Sequence, residues 1–284
     1  MNNQELNMTV ILNYRSYLYD EEKSKATIDK YMRDIMQFYD FMPQHDRVIS
    51  KEILVAYKQS LLDSYKISSI NSMLVALNSL LEFMNLGCFK LKLHKVQRSV
   101  CFEEKKELTR NEYKRLLETA LKRGNERLYL LLQTICGTGI RVSEHKFITV
   151  ESLKENQAVI KNKGKVRIIF IPKKLSKILK EYCKRERITN GSIFVTKNGK
   201  PLDRSNIWNS MKKLCQEARV SEKKVFPHNL RHLFALTYYQ LQKDVVRLAD
   251  ILGHASIETT RIYTMTNTKE YQKSMDRMNL IIPI

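Results

Sequence analysis

The stretch AVIKNKGKVRIIFIP, residues 158–172, is where the chain concentrates its strand chemistry. Apolar and β-branched residues stand on both sides of the Lys163-Gly164-Lys165 turn, a pattern that predicts a short antiparallel hairpin. Around it the chemistry is helical, with only 8 Gly and 5 Pro in 284 residues and abundant Leu, Ile, Lys and Glu. The expected class is mainly α with one small antiparallel sheet.

Outward from the hairpin toward the N-terminus, Glu126 to Cys136 reads as an apolar helix. Ahead of it, Thr109 and Glu112 form a capping-box pair for another helix. Residues 94–107, HKVQRSVCFEEKKE, lose all apolar periodicity, so we place a linker at 96–107 between domains at 1–95 and 108–284. The first domain reads as four helices. Ser24 caps one whose stripe is Ile28, Tyr31, Met32, Ile35, Phe38 and Tyr39, and Ser50 caps one carrying Ile53, Leu54, Tyr57, Leu61 and Leu62. A third begins at Ser69, carries Met73, Leu74, Leu77, Leu80, Leu81 and Met84, and stops at Gly87; a weaker fourth lies around residues 11–19. Toward the C-terminus, helices are expected over 176–185, 204–218, 227–240 and 245–252, with a short one from Ser256.

Fifty Lys and Arg against 30 Asp and Glu give a formal charge of +20, which calls for an extended anionic partner. Nucleic acid fits best. A membrane anchor would need roughly 20 consecutive apolar residues, and no such run is present. The start, MNNQELNMTV, lacks the basic-then-apolar order of a signal peptide, and five scattered cysteines without a CxxC pair form neither a disulfide framework nor a zinc site. A reduced, cytoplasmic protein is expected.

Four segments carry concentrated chemistry. In CGTGIRVSE, residues 136–144, two glycines loosen a helix end and Arg141 follows, either as a phosphate ligand or as a structural bridge to Glu144. In PHNLRH, residues 227–232, Pro227 suits a first helical turn and His228 and Arg231 share a face, while His232 points about 100° away. An imidazole beside a guanidinium suits an anion better than a metal. In LGHASIETTRIY, residues 252–263, Gly253 ends a helix, His254 stands in the turn, Ser256 caps the next helix, and Tyr263 lies near its end. A polar run follows Tyr263, so its hydroxyl is expected to reach a cleft. A phenol needs neighbouring cations or a base to attack anything at neutral pH. The hairpin turn supplies a lysine, with basic surface contact as its blander role.

Taken together, Thr138-Gly139-Ile140-Arg141-Val142-Ser143-Glu144, then Lys163, then His228-Asn229-Leu230-Arg231-His232, then Gly253-His254, then Tyr263 nine residues on, resemble the tyrosine recombinase, or phage integrase, family. By size and layout the chain looks closest to its XerC/XerD branch. The motifs cover the chain from Leu108 onward; the N-terminal helices match the family's core-site DNA-binding domain in size, helix count and position. The resemblance implies a C-shaped clamp on double-stranded DNA and a catalytic set of Arg141, Lys163, His228, Arg231, His254 and Tyr263. Arg141 and Arg231 would hold the scissile phosphate, His254 would add a hydrogen bond, and His228 would help accept the proton of Tyr263. Tyr263 would attack phosphorus, forming a 3′-phosphotyrosine, and Lys163 would protonate the departing 5′-oxygen. No metal, nucleotide or other cofactor is required.

The hairpin turn is about one residue shorter than the family's GKGxKxR pattern and has Asn162 where that pattern has glycine, so Lys161 and Lys165 stay open beside Lys163. The apolar ending Leu280-Ile281-Ile282-Pro283-Ile284 implies docking into a neighbouring subunit of a homotetramer, or of a heterotetramer with a related recombinase; the alternative is packing on its own domain. No arm-site domain precedes residue 1, from which a simple recombinase at short inverted core sites is expected. The rival functions are a type IB topoisomerase sharing the same chemistry and a non-catalytic DNA-binding regulator on the same scaffold. A metal nuclease is disfavoured because no Asp/Glu/His cluster at ligand spacing is present.

Overall fold

Hydroxyl and amide caps set most helix starts. In the computed structural model, which describes residues 5–44, 47–95, 107–162, 165–196, 198–263 and 276–278, Asn7 caps α1 (Met8–Asp20), Ser24 caps α2 (Lys25–Phe41) and Ser50 caps α3 (Lys51–Ser60). Each side-chain oxygen accepts from a backbone N–H of the first turn, a contribution of about 1 kcal/mol apiece. α4 (Ile67–Phe83) begins behind Lys66, which provides no side-chain cap, so Ser69 lies inside the first turn rather than ahead of it. Its end also differs from expectation. Asn85 takes the left-handed turn at φ 60°, and Gly87 opens a 3-10 turn, Gly87–Phe89, instead of stopping the helix. Asparagine tolerates that conformation because its short amide can hydrogen-bond locally.

These helices share one apolar core in which Tyr14, Leu18, Ile35, Phe38, Leu54 and Tyr57 surround the ridge Leu74, Leu77 and Leu81 of α4. Burying each such side chain is worth about 1.5–3 kcal/mol. The chain then runs back along α4: the Asn78 amide exchanges two hydrogen bonds of 2.9 Å with the Leu91 backbone, and Asn71 does the same with His94 at 2.9 and 2.8 Å. The molecule divides into two compact units, Met1–Arg98 and Ser99–Ile284. Of the expected linker, only Glu107 lies among the described residues.

In the second unit the Thr109–Glu112 capping box starts α5 (Arg110–Lys122), and α6 (Glu126–Thr138) is buried along Leu130, Leu131, Leu132, Thr134 and Ile135. A 3-10 stretch, Val142–Phe147, and α7 (Val150–Glu155) follow, two elements that hydrophobic periodicity does not reveal. β1 (Gln157–Asn162) and β2 (Lys165–Phe170) form the expected antiparallel hairpin, with Ile160 opposite Arg167 and Asn162 opposite Lys165. Its pleat buries Ala158, Ile160 and Ile169 and leaves Val159, Val166, Ile168 and Phe170 exposed. Then come α8 (Lys173–Arg185), α9 (Arg204–Lys212), α10 (Pro227–Gln242), α11 (Val245–Leu252), α12 (Ile257–Thr260) and a closing 3-10 turn, Arg261–Tyr263. α9 is shorter than the expected 204–218, because the chain past Lys212 continues as turns. Mainly α structure with a two-stranded sheet is therefore the architecture of the described residues, none of whose helices is long and apolar enough to cross a membrane.

Candidate active site

α6 ends at Gly139, whose φ of 68° is left-handed and whose missing Cβ makes room for the Phe234 ring. The turn drives Ile140 into the core and brings Arg141 out, its side chain 40% exposed. Glu144, only 1% exposed, accepts from the Arg141 backbone N–H at 2.7 Å and from Arg141 Nη1 at 3.1 Å. The structural bridge between these residues is thus real. It occupies one edge of the guanidinium, while Nη2 donates to the Gly253 carbonyl at 3.3 Å.

Pro227 occupies the first turn of α10, and from that helix Arg231 reaches inward. Its Nη1 donates to Gly139 O at 2.7 Å and its Nη2 to Leu252 O at 2.6 Å. A third guanidinium, Arg167 of β2, donates to the same Leu252 carbonyl at 2.6 Å and to Glu144 Oε2 at 2.7 Å. Three arginines therefore converge on the last carbonyls of α11, the negative end of that helix's dipole. Burial first, then the neighbouring Arg141 and Arg167, pulls the Arg231 pKa down to about 10, which leaves it charged at neutral pH.

Gly253, in the left-handed region at φ 62°, turns the chain so that His254 faces this cluster. A Cβ at Gly253 would overlap the Arg167 side chain. His254 Nε2 lies 3.0 Å from Arg231 Nη2, and Nδ1 lies 2.7 Å from Thr260 Oγ1. Burial, then Arg231 and Arg141, lowers its pKa to about 4, so the ring is neutral at pH 7. His228 is shifted the same way, by burial and then by Arg231. Arg141, Arg231, His228 and His254 line one cleft of about 920 Å³ together with Arg204, Trp208 and Asn209 of α9.

Tyr263 departs from expectation. It is 2% exposed and absent from that lining, packed instead with Ala235, Leu248 and Leu252. His232 meets its ring edge-on at 4.8 Å and His254 stacks at 6.4 Å between centroids. The polar run that follows it pointed to a cleft-facing hydroxyl; the short α12 and its 3-10 continuation turn the ring inward. Burial raises its pKa, with Arg231 and Arg141 opposing.

Lys163 lies outside the described residues. Lys161 pairs with Val166 on the exposed face of the hairpin, opposite to the face of Arg167. Sequence reading missed Arg167, Thr260 and Trp208, whose residue types are unremarkable alone; the third position of the family's KxR pattern pointed to Arg167. No group of His, Cys, Asp and Glu able to hold a metal occurs among the described residues.

The phage integrase family matches residues 106–270. Tyrosine recombinase XerA of Pyrococcus furiosus is 30% identical over 293 aligned residues, covering 99% of this chain and 98% of its own. A crystal structure of XerA recombinase aligns with a TM-score of 0.52 at 26% identity, over 96% of this chain and 99% of that one. The XerH site-specific recombinase bound to palindromic difH substrate in a post-cleavage complex aligns at 0.72 and 20% identity, over 97% and 90%, a likeness of fold.

Proposed function

From the premise that the chain belongs to the phage integrase family, the tyrosine recombinases, we propose how its own residues perform site-specific cutting and rejoining of DNA. The observation that carries the reading is the convergence of Arg141, Arg231 and His254 in one cleft, each at hydrogen-bonding distance from the end of α11 or from one another. Two guanidiniums holding an acceptor-rich helix end are arranged to exchange it for the nonbridging oxygens of a phosphodiester. His254 adds a neutral donor, and His228, unprotonated at neutral pH, accepts the phenolic proton.

Tyr263 then leaves its place against His232 and attacks phosphorus. The bond from phosphorus to the 5′-oxygen breaks, leaving a 3′-phosphotyrosine and a 5′-hydroxyl. Lys163 protonates that oxygen; the placement of Lys161 on the far face of the hairpin favours the turn over it. Attack by a partner strand's 5′-hydroxyl reverses the step. Bond energy is conserved in the ester exchange, so no nucleotide is needed to supply it, and the arginines provide the charge stabilisation at phosphorus.

We assign residues 1–95 to core-site DNA binding, 96–107 to a linker and 108–284 to catalysis. The working assembly is a tetramer on two DNA duplexes with inverted core sites, as a homotetramer or with a related recombinase. An apolar groove of about 900 Å³ lined by Val166, Ile168, Phe170, Phe234 and Tyr238 supports tail exchange between subunits through Leu280 to Ile284, residues outside those described.

The test is incubation of the wild type and Tyr263→Phe, in EDTA, with nicked DNA carrying a core site obtained by selection, followed by a denaturing gel. The expected result is a covalent adduct with the wild type and none with Tyr263→Phe. Strand exchange between paired sites identifies the recombinase; relaxation without exchange indicates a type IB topoisomerase, and tight binding without adduct indicates a regulator.

A further inference from the structure

Thr260 is fully buried in α12, three residues ahead of Tyr263, with its hydroxyl 2.7 Å from His254 Nδ1. The other ring nitrogen, Nε2, lies 3.0 Å from Arg231 Nη2. A guanidinium only donates hydrogen bonds, so in the DNA-free site Nε2 holds the lone pair. The single ring proton then sits on Nδ1 and is donated to the Thr260 oxygen. Donating to a phosphate oxygen through Nε2 requires the other tautomer, with the lone pair on Nδ1. An apolar side chain at 260 would orphan Nδ1 in both tautomers, and an acceptor-only one would orphan it in the second. A hydroxyl serves both by rotating about its C–O bond.

We propose that Thr260 is a positioning residue for strand transfer: it fixes the His254 ring and reverses its hydrogen bond when Arg231 passes to the scissile phosphate. His254 thereby presents Nε2–H to a phosphoryl oxygen. Nε2 gains a proton from water in the cleft and Nδ1 releases one to solvent, leaving the ring neutral before and after. The proposal rests on the role given to His254 above.

Single-turnover adduct formation on the nicked site tests it, comparing the wild type, Thr260→Val, Thr260→Ser, His254→Ala and the double variant His254→Ala/Thr260→Val. Thr260→Val is expected to slow adduct formation by roughly 10- to 100-fold, as loss of an orienting partner does. Thr260→Ser retains the hydroxyl and should restore the rate, and gel-shift binding by Thr260→Val and Thr260→Ser should match the wild type. In the His254→Ala background the valine should cost nothing further, because the two residues act as one unit. A full additional loss in the double variant, an active Thr260→Val, or an inactive but folded Thr260→Ser overturns the proposal. If Thr260→Val does not fold, as judged by thermal melting, Thr260→Ala takes its place in the same cycle. Absence of adduct with the wild type refutes the functional reading itself, a distinct result.

Discussion

The two halves of the proposed site are built on different principles. The half proposed to hold phosphate is braced from four directions: α6 supplies Gly139, the following turn Arg141 and Glu144, β2 Arg167, and α10 Arg231, with the three arginines donating to the end of α11. The nucleophile half is a short helix and a 3-10 turn, held by ring contacts to His232 and His254 and by a small apolar cluster. Electrostatic stabilisation works best when its dipoles are fixed before the charge develops. A nucleophile that rests in a core, with its pKa raised by burial, stays unreactive until it is moved. On the roles proposed above, the difference teaches that binding is preorganised here while cleavage requires Tyr263 to change place.

If so, stability should be far more sensitive to the first half than to the second. The largest effect is expected from Glu144→Gln, which leaves the enclosed Arg167 without its carboxylate. Breaking a buried pair costs about 3–5 kcal/mol, and a drop in melting temperature on the order of 10 °C should follow for a unit of this size. Tyr263→Phe, which keeps its ring contacts, should stay within about 1 kcal/mol of the wild type in the same melt. Equal losses in the two variants would break the comparison.

Next in size is a pH effect on the wall of the nucleophile half. Burial first, then His228, lowers the His232 pKa from 6.5 to about 4. Folding therefore favours the neutral ring, while the unfolded chain takes up a proton once pH falls below about 6.5. The stability is present above that pH and is lost between 6.5 and 4, reaching roughly 3 kcal/mol for this one residue. His232→Phe removes the titration, so its melting temperature relative to the wild type should rise steadily as pH falls from 7 to 4. A difference independent of pH would remove His232 as the cause.

How much of this was readable from the sequence depends on the range of the interactions. Local signals held: the caps Ser24, Ser50 and Thr109, the hairpin, and the left-handed Gly139 and Gly253 each act within a few residues. The ends of α4 were less legible. α4 starts at Ile67, ahead of Ser69, and a left-handed Asn85 ends it before Gly87. The partners of Arg167 lie 85 and 23 positions away, so only the fold brings them together. The inward turn of Tyr263 was hidden for the same reason, since His232 and Leu248 come from other helices.

Gly253→Ala probes the joint between the halves and should cost less than Glu144→Gln. A φ of 62° disfavours a Cβ by about 1–2 kcal/mol, and the added methyl must push the Arg167 side chain aside. A total of about 2–3 kcal/mol in denaturant unfolding is expected, accompanied by slower adduct formation as the arginines shift. Gly87→Ala is the control, because a Cβ there meets nothing within 4 Å. If the two alanine variants unfold alike, the close approach of Arg167 to Gly253 is not a constraint.

The smallest stability effect should come from Trp208→Ala, where the comparison is sharpest. The indole is 45% exposed on the cleft wall, with Lys212 Nζ 5.1 Å from its ring centre. Little core depends on it, so unfolding should change by no more than about 0.5 kcal/mol. An exposed aromatic among cations is, however, placed to meet bases or sugars, an interaction worth about 1–3 kcal/mol when bases stack on it. Gel-shift affinity for core-site DNA should therefore fall about tenfold with the fold intact. Such a result would place Trp208 with the preorganised half by function while separating it from that half by energetics, since Arg167 and Glu144 are part of the buried framework and Trp208 only borders the cleft they shape. Unchanged affinity would confine the binding surface to the arginine cluster itself.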